Sequence, residues 1–329
     1  MKRHIKRALL VLGLLTLLGT AWFAYQLSHR PSLAPYADFV LASADGKAAG
    51  LRVTFLGVST LLFDDGETAI LTDGFFTRPA KKSVFMGKIA PDRERIAKSL
   101  ERAGIRRLAA VIVCHSHYDH AMDAPEVARR TGALVVGSES TANVARGWGL
   151  ADDRIRIVGD GDDVNFGRFQ VTFVRSEHAP TPMTGGEIRE SLLPPVRAYQ
   201  YKEGGSFSVL IKHDNRTLLV QSTAGYVEGA LRGRRADVVF LGIGALGKQN
   251  EAFRQAYWRE IVGAVGARRI IPIHWDDFTL PLDQPLVPVP YPFDDFDKSM
   301  AFILEYGHRE GVDVKLAPVW TKFDPFVGL

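Results

Sequence analysis

At 329 residues the chain can form one large or two small domains, and with 46% apolar and 24% charged residues it can bury a sizeable core, which excludes a disordered chain. Its single cysteine, Cys114, excludes an intrachain disulfide scaffold and a cysteine-based zinc cluster. The formal charge of +4 is set by Lys2, Arg3, Lys6 and Arg7; residues 8–329 hold 37 basic and 37 acidic side chains, so the basicity is local and implies no nucleic-acid partner.

Residues 8–28 contain no charge, and as a helix at ~1.5 Å per residue they are long enough to cross a hydrocarbon core. Trp22, Phe23 and Tyr25 cluster at the far end, where aromatic belts sit, while the basic flank favours the cytoplasmic side. This pattern predicts a signal-anchor over residues 1–28 in a bacterial-type inner membrane, with the body on the periplasmic side. A signal peptide cleaved to release the body fits the same flank and apolar run, but a cut after Ala24 puts Trp22 where a small residue is required. Residues 29–50 are rich in Pro, Ser and Ala without periodicity, which predicts a linker to a domain over 51–329.

The domain opens with strand signals at 51–56, 60–63 and 68–72, with Asp64-Asp65-Gly66 turning between the last two, a meander and not a βαβ unit. A helix is predicted over 91–103, with Pro91 in the first turn, Asp92 and Glu94 near its positive end and Gly104 as its stop. An apolar strand at 109–114 follows. Beyond it come a helix at 125–130, a strand at 133–136, a helix begun by Ser138, and strands near 154–158 and 169–174. A hairpin is predicted over 207–211 and 217–221, and another apolar strand at 236–243. Asn250 is the predicted cap of a helix running to about 265, and 269–273 is a last buried strand. Two meander halves, each followed by helices and strands, predict an αββα sandwich in the α/β class.

The chemistry is concentrated in His115-Ser116-His117-Tyr118-Asp119-His120, directly after an apolar strand. Imidazoles and a carboxylate crowded on one turn make a poor core, because each needs a buried partner, but a good set of donors for a borderline cation such as zinc. This His-x-His-x-Asp-His pattern resembles the signature of the metallo-β-lactamase fold superfamily of metal-dependent hydrolases, and the likeness covers essentially the whole body from Leu51 onward.

The resemblance implies one or two divalent ions, zinc first, with manganese or iron as alternatives. One ion would be held by His115, His117 and a later histidine, matched by His178 in Ser176-Glu177-His178-Ala179-Pro180. The other would be held by Asp119, His120 and a final histidine, matched by His274 in Ile271-Pro272-Ile273-His274-Trp275. It further implies that Asp73, in Leu71-Thr72-Asp73-Gly74, supports the metal loop and orients a histidine, and that Asp119 can accept a proton from a metal-activated hydroxide. His213, beside a hairpin turn, and His308, late in an amphipathic helix, are predicted to be surface residues.

One departure stands out. Where the family usually places Gly-Asp-x-Gly, whose carboxylate bridges two metals, this chain has Ser222-Thr223-Ala224-Gly225, so Thr223 occupies the carboxylate position. The six-donor β-lactamases lack that carboxylate too. Leu71-Thr72-Asp73, Tyr118, Ile273-His274-Trp275 and Phe278 look most like the branch of N-acylphosphatidylethanolamine-type phospholipase D and the sugar-phosphate lactonases. The implied function is therefore hydrolysis of an ester, phosphodiester or lactone bond in a small-molecule or lipid-like substrate; β-lactam hydrolysis and a non-hydrolytic metal-binding role are the alternatives. Oligomeric state is not legible. Residues 179–205, with Leu192, Leu193, Pro194, Pro195, Tyr199 and Tyr201, and the proline-rich 281–292 leave the ligand positions and are natural material for a lid.

Overall fold

In the computed structural model, which describes residues 2–44 and 50–329, the apolar runs pair into two seven-stranded sheets. The first contains β1 (Arg52–Phe55), β2 (Leu61–Asp64), β3 (Ala69–Thr72), β4 (Ala110–Ile112), β5 (Leu134–Gly137) and β6 (Ile155–Ile157). The second contains β7 (Asp163–Phe166), β8 (Phe169–Ser176), β9 (Ser206–His213), β10 (Arg216–Gln221), β11 (Val238–Gly242), β12 (Arg269–Ile273) and β13 (Asp313–Val314). A final strand, β14 (Lys322–Phe323), returns to pair with β1. The helices are α1 (Lys2–Ser28), α2 (Lys81–Met86), α3 (Arg93–Arg102), α4 (Tyr118–Ala121), α5 (Ala124–Thr131), α6 (Glu139–Gly147), α7 (Glu251–Trp258) and α8 (Phe296–Glu310).

Each sheet changes character along its width. β1 to β3 and β7 to β10 run antiparallel, whereas β3 to β6 and β10 to β13 run parallel. Parallel neighbours need crossovers, and the helices that supply them cover the outer faces, so β4, β11 and β12 are buried along their whole length. Between the sheets Phe63 meets Phe240 edge to face at 5.8 Å, within a core that also holds Ile112, Cys114, Phe173 and Ile271. A second cluster fills the space between the first sheet and α3, α5 and α6, with Val111 and Val135 facing Ile96, Val127 and Val144.

The predicted capping is realised with small shifts. Asp92 accepts hydrogen bonds from the Glu94 and Arg95 N–H groups, so α3 starts at Arg93, two residues after Pro91. Ser138 and Asn250 cap α6 and α7, and beyond Trp258 the chain continues as one wide turn over Arg259–Gly263. β7 escaped the sequence reading because Asp163–Phe166 is short and largely exposed.

Two expectations are corrected. His213 is not a surface residue: it is 4% exposed, and its Nε2–H donates to Asp65 at 3.0 Å. The turn that covers it belongs to the other sheet, which no local pattern reveals; His308 is exposed as expected. Residues 29–44 are also no free tether. After α1, Ala34–Phe39 form a 3₁₀ turn, Tyr36 packs edge to face on Phe296, and Leu41 is buried with its N–H bonded to the Leu316 carbonyl. Those contacts depend on the chain's far C-terminal part and have no sequence period; residues 45–49 of the predicted linker lie outside the described residues. α1 itself is 27 residues long, and an 18-residue stretch within it has a mean hydropathy of 1.9 and no buried part, properties that a membrane span and a signal sequence share.

Asp65 clasps the sheets together. Its carboxylate accepts from the Glu67 and Thr68 N–H groups in its own turn and from His213 and Arg168, which sit at the ends of β9 and β8. Burial opposes ionisation, but the Thr68 and Glu67 N–H groups, His213 and Arg168 together hold the carboxyl below its usual range. A carboxyl depressed in the fold stabilises above its ordinary pKa and loses that contribution as the pH falls. Asp65→Asn is therefore expected to cost on the order of 2 kcal/mol at pH 7. In urea unfolding the gap from wild type should narrow between pH 5 and pH 3; a gap independent of pH would contradict the assignment.

Candidate metal centre

The strands deliver the site because five of them end on the same side of the sandwich. Asp73 follows β3, the His115–His120 loop follows β4, His178 follows β8, Thr223 follows β10 and His274 follows β12. Carboxyl ends of parallel strands are where open α/β sheets present their side chains. Tyr118–Ala121 makes one helical turn, which folds Asp119 and His120 back beside His117.

Two triads result: His115, His117 and His178 form one, and Asp119, His120 and His274 the other, each with its donor atoms within 4.8 Å of one another. The structure thus brings together all six positions matched by the motif. In the first triad, His115 Nε2 lies 3.1 Å from His117 Nδ1, and His178 donates from Nδ1 to the Ala179 carbonyl at 2.8 Å, leaving Nε2 with a free lone pair. In the second, His120 Nε2 lies 3.2 Å from His274 Nε2, with Asp119 Oδ2 at 3.5 and 3.3 Å from the two nitrogens. Convergent imidazole nitrogens and a carboxylate oxygen within this reach are the donor types that suit a borderline cation. The His115 and His120 rings meet at 3.8 Å between centroids, tilted by 43°, and so bring the triads side by side.

Electrostatics separate the two halves. Burial, reinforced by the neighbouring imidazoles, holds His115 well below its ordinary pKa and lowers His178 to about 3; burial also lowers His117. All three are neutral donors at pH 7. His120 goes the other way, because Asp73 and Asp119 outweigh its burial, and Asp119 is held well below the carboxylate range by His120 and His274 despite its own burial. The first triad is therefore neutral, whereas the second pairs an ionised carboxylate with an imidazole that favours its charged form.

Each second-triad histidine has a support. Asp73, fully buried and in the left-handed backbone region at φ 52°, accepts from His120 Nδ1 at 2.7 Å, Ser59 Oγ at 2.5 Å and the Cys114 N–H at 2.8 Å. It is not an ordinary turn aspartate. His274, at φ 58°, donates its N–H to the Val58 carbonyl at 2.7 Å. Val58, itself at φ 50°, is pinned by its N–H to Asp276, and Asp276 is paired at 2.6 Å with Arg78, both side chains without exposure.

Ser59, Val58 and the Arg78–Asp276 pair were not found from sequence; a charged Arg78 after Phe75 and Phe76 was the one available signal. Asp123, which could have filled the gap left by Thr223, is instead engaged by the Phe76 and Thr77 N–H groups and the Thr77 hydroxyl, and Asp276 is spent on Arg78 and Val58.

Thr223 is 4% exposed and accepts from the Ala179 N–H at 3.1 Å, which ties β10 to the His178 loop. Gly225 is needed there because a Cβ would come within 2.0 Å of the Glu177 carbonyl. Cys114 is buried in the core, where desolvation and Asp73 raise its pKa well above the ordinary value, so it is packing and no nucleophile.

A cavity of about 630 Å³ opens over the triads, touching His117, Asp119, His178, Thr223 and His274 and walled by apolar side chains that include Tyr118, Phe278 and Phe293. Both expected covers contribute, through Met183, Tyr199 and Val289. Between them residues 188–192 are pinned to α6, where Asn143 donates to the Ile188 carbonyl and accepts at its own carbonyl from the Leu192 N–H. That half of the predicted lid is a packed strap.

Asp73→Asn should keep the shape of the site while setting an N–H donor against His120 Nδ1, which drives the imidazole proton onto Nε2. Metal affinity is expected to fall by about 10–100-fold, measured by competition with a chromophoric chelator, with an unchanged circular dichroism spectrum.

The profile of a family described as "Beta-lactamase superfamily domain" matches residues 68–275. A UPF0173 metal-dependent hydrolase of Agrobacterium fabrum is 29% identical over 142 residues, 43% of this chain and 54% of the relative; the chain spans about half the length of such curated relatives. Among solved structures, the metallo hydrolase Igni18 of Ignicoccus hospitalis superposes with a TM-score of 0.52 at 16% identity, covering 83% of this chain and 98% of that one. An isothiocyanate hydrolase from Delia radicum gut bacteria gives 0.51 at 14% identity, covering 83% and 98%. At such identities the likeness is one of fold.

Proposed function

The chain belongs to the metallo-β-lactamase fold superfamily, and on that footing we propose that it is a metal-dependent hydrolase of an ester, phosphodiester or lactone bond, tethered to a membrane by its N-terminal helix with the body on the periplasmic side. The observation that carries the hydrolytic reading is the pair of His/Asp triads at the floor of an apolar cavity. His115, His117 and His178 would hold one divalent ion and Asp119, His120 and His274 a second, zinc being the best match to four or more imidazoles. A bound ion of this kind supplies Lewis acidity and makes water a competent nucleophile near neutral pH.

The protein's own part is to position and to move protons. Asp119 is kept anionic and lines the cavity, so its carboxylate can take the proton that an attacking water gives up. Tyr118, Phe278 and Phe293 exclude solvent around the bond to be cleaved and favour a substrate with an apolar portion. Tyr118 and Phe278, 6.2 Å apart, are also among the residues that carry the likeness to the phospholipase D and lactonase branch. The β-lactam reading draws support from one feature, the absence of a carboxylate at Thr223 in a six-donor set.

Assay of the metal-loaded protein against bis-p-nitrophenyl phosphate, a lactone series and nitrocefin separates these readings. Turnover of the first two is expected, lost by about 10²–10⁴-fold in Asp119→Asn; turnover of nitrocefin alone would favour the β-lactam reading, and none with any substrate the non-hydrolytic one.

Thr223 makes a separate prediction. A neutral hydroxyl offers no shared charged oxygen to offset the repulsion between two cations. Under graded chelation the metal content should show a plateau near one ion per chain, and Thr223→Asp should retain the second ion to higher chelator concentration. Loss of both ions in one step would contradict this.

A further inference from the structure

Outside α1, the described residues include nine exposed large apolar side chains, and five of them gather in one place. Phe85, Met183, Tyr199 and Phe293, between 42% and 65% exposed, rim the cavity over the triads, and Met86, at 66%, adjoins Phe85. Phe85 stacks on Phe293 at 6.1 Å between centroids, so α2 and the segment after the proline-rich loop form one continuous apolar lip. Exposed aromatics and methionines in a contiguous patch indicate a surface that meets something apolar.

The end of α1 lies at this same lip. Two residues past Ser28, Arg30 donates to Asp277 Oδ2 at 2.7 Å and to the Pro288 carbonyl at 3.0 Å. Asp277 is part of the cavity wall, and it also takes Lys81, the first residue of α2, at 3.2 Å. The apolar helix therefore leaves the body where the lip begins, and its own apolar side chains have no cover within the molecule. Charge fits the same partner. Lys82 and Lys88 are exposed on either side of Phe85 and Met86, Lys81 lies 5.5 Å over the Phe293 ring, and Lys202 lies 5.9 Å from Tyr199. Apolar and aromatic tips ringed by lysines match the interface of a bilayer that contains anionic phospholipid.

We infer that the lip of Phe85, Met86, Met183, Tyr199 and Phe293 docks into the headgroup region of the membrane that α1 enters, so that the cavity opens onto the bilayer. This rests on the membrane-tether reading and is independent of which bond is hydrolysed. Cys114 is buried, so a thiol-reactive, environment-sensitive dye reports a single introduced site. The full chain is reconstituted in nanodiscs of phosphatidylethanolamine and phosphatidylglycerol, with or without nitroxide-bearing lipid, and labelled in turn at Met86→Cys, at Leu15→Cys in α1, and at Arg107→Cys, exposed ahead of β4 at the opposite end from His115.

Docking predicts several-fold nitroxide quenching at Met86→Cys and Leu15→Cys and none at Arg107→Cys, with the Met86→Cys signal weakened by Lys82→Glu and Lys88→Glu together. Quenching at Leu15→Cys alone would overturn the docking while leaving the tether. No quenching at either would overturn both. A blue shift at Met86→Cys without nitroxide quenching would assign the lip to another protein copy and also overturn the inference.

Discussion

Asp73 has no exposed surface, and burying a carboxylate costs several kcal/mol unless donors meet it. Here they meet it from separate parts of the chain: Ser59 from the β1–β2 turn, the Cys114 N–H at the end of β4, and His120 one loop further on. Satisfying one buried group thus joins the first meander, the first parallel pair and the second triad into one rigid unit. The left-handed backbone at Asp73 is tolerated because its own N–H is held by the Ile112 carbonyl at 2.8 Å. Move this carboxylate and His120 loses its orientation, while the Cys114 N–H at the end of β4 loses its acceptor.

The second sheet solves the matching problem differently. His274 is aimed through its backbone, by Val58 and the Arg78–Asp276 pair. The Arg78 guanidinium, buried 5.5 Å from the Phe75 ring centroid, is a costly device, and such pairs are kept where geometry matters more than stability. The two halves of the centre therefore differ in how they are held as well as in make-up: three neutral imidazoles beside a triad that carries an ionised carboxylate. A difference of this kind between neighbouring cation sites follows from residues outside them, and Thr223 only adds to it.

Around this floor the upper wall is more exposed. Residues 188–192 are strapped to α6, whereas Phe85, Tyr199 and Phe293 are exposed at the rim, with Phe85 stacked on Phe293. A wall anchored below and apolar above allows substrates of one shape class to be admitted without disturbing the donors. The N-terminal segment packs along the other sheet's edge and ends its course at the same rim, so the anchor and the opening are coupled through Arg30 and Asp277.

Much of this was legible in the sequence, for specific reasons. The sandwich could be read because buried parallel strands are short unbroken apolar runs, and the helix starts because Asp92, Ser138 and Asn250 are side chains that cap. The His115–His120 cluster stood out because three imidazoles and a carboxylate on one turn have no economical core role, and His178 and His274 were reached through the family resemblance that this cluster carries.

What the sequence could not decide are contacts between residues far apart in the chain. His213 looked like a hairpin-end residue until the turn of the opposite sheet covered it, and residues 29–44 looked loose until Leu316 paired with Leu41. Local patterns report which residues must leave water; which partners they leave it for is set only when the two sheets close.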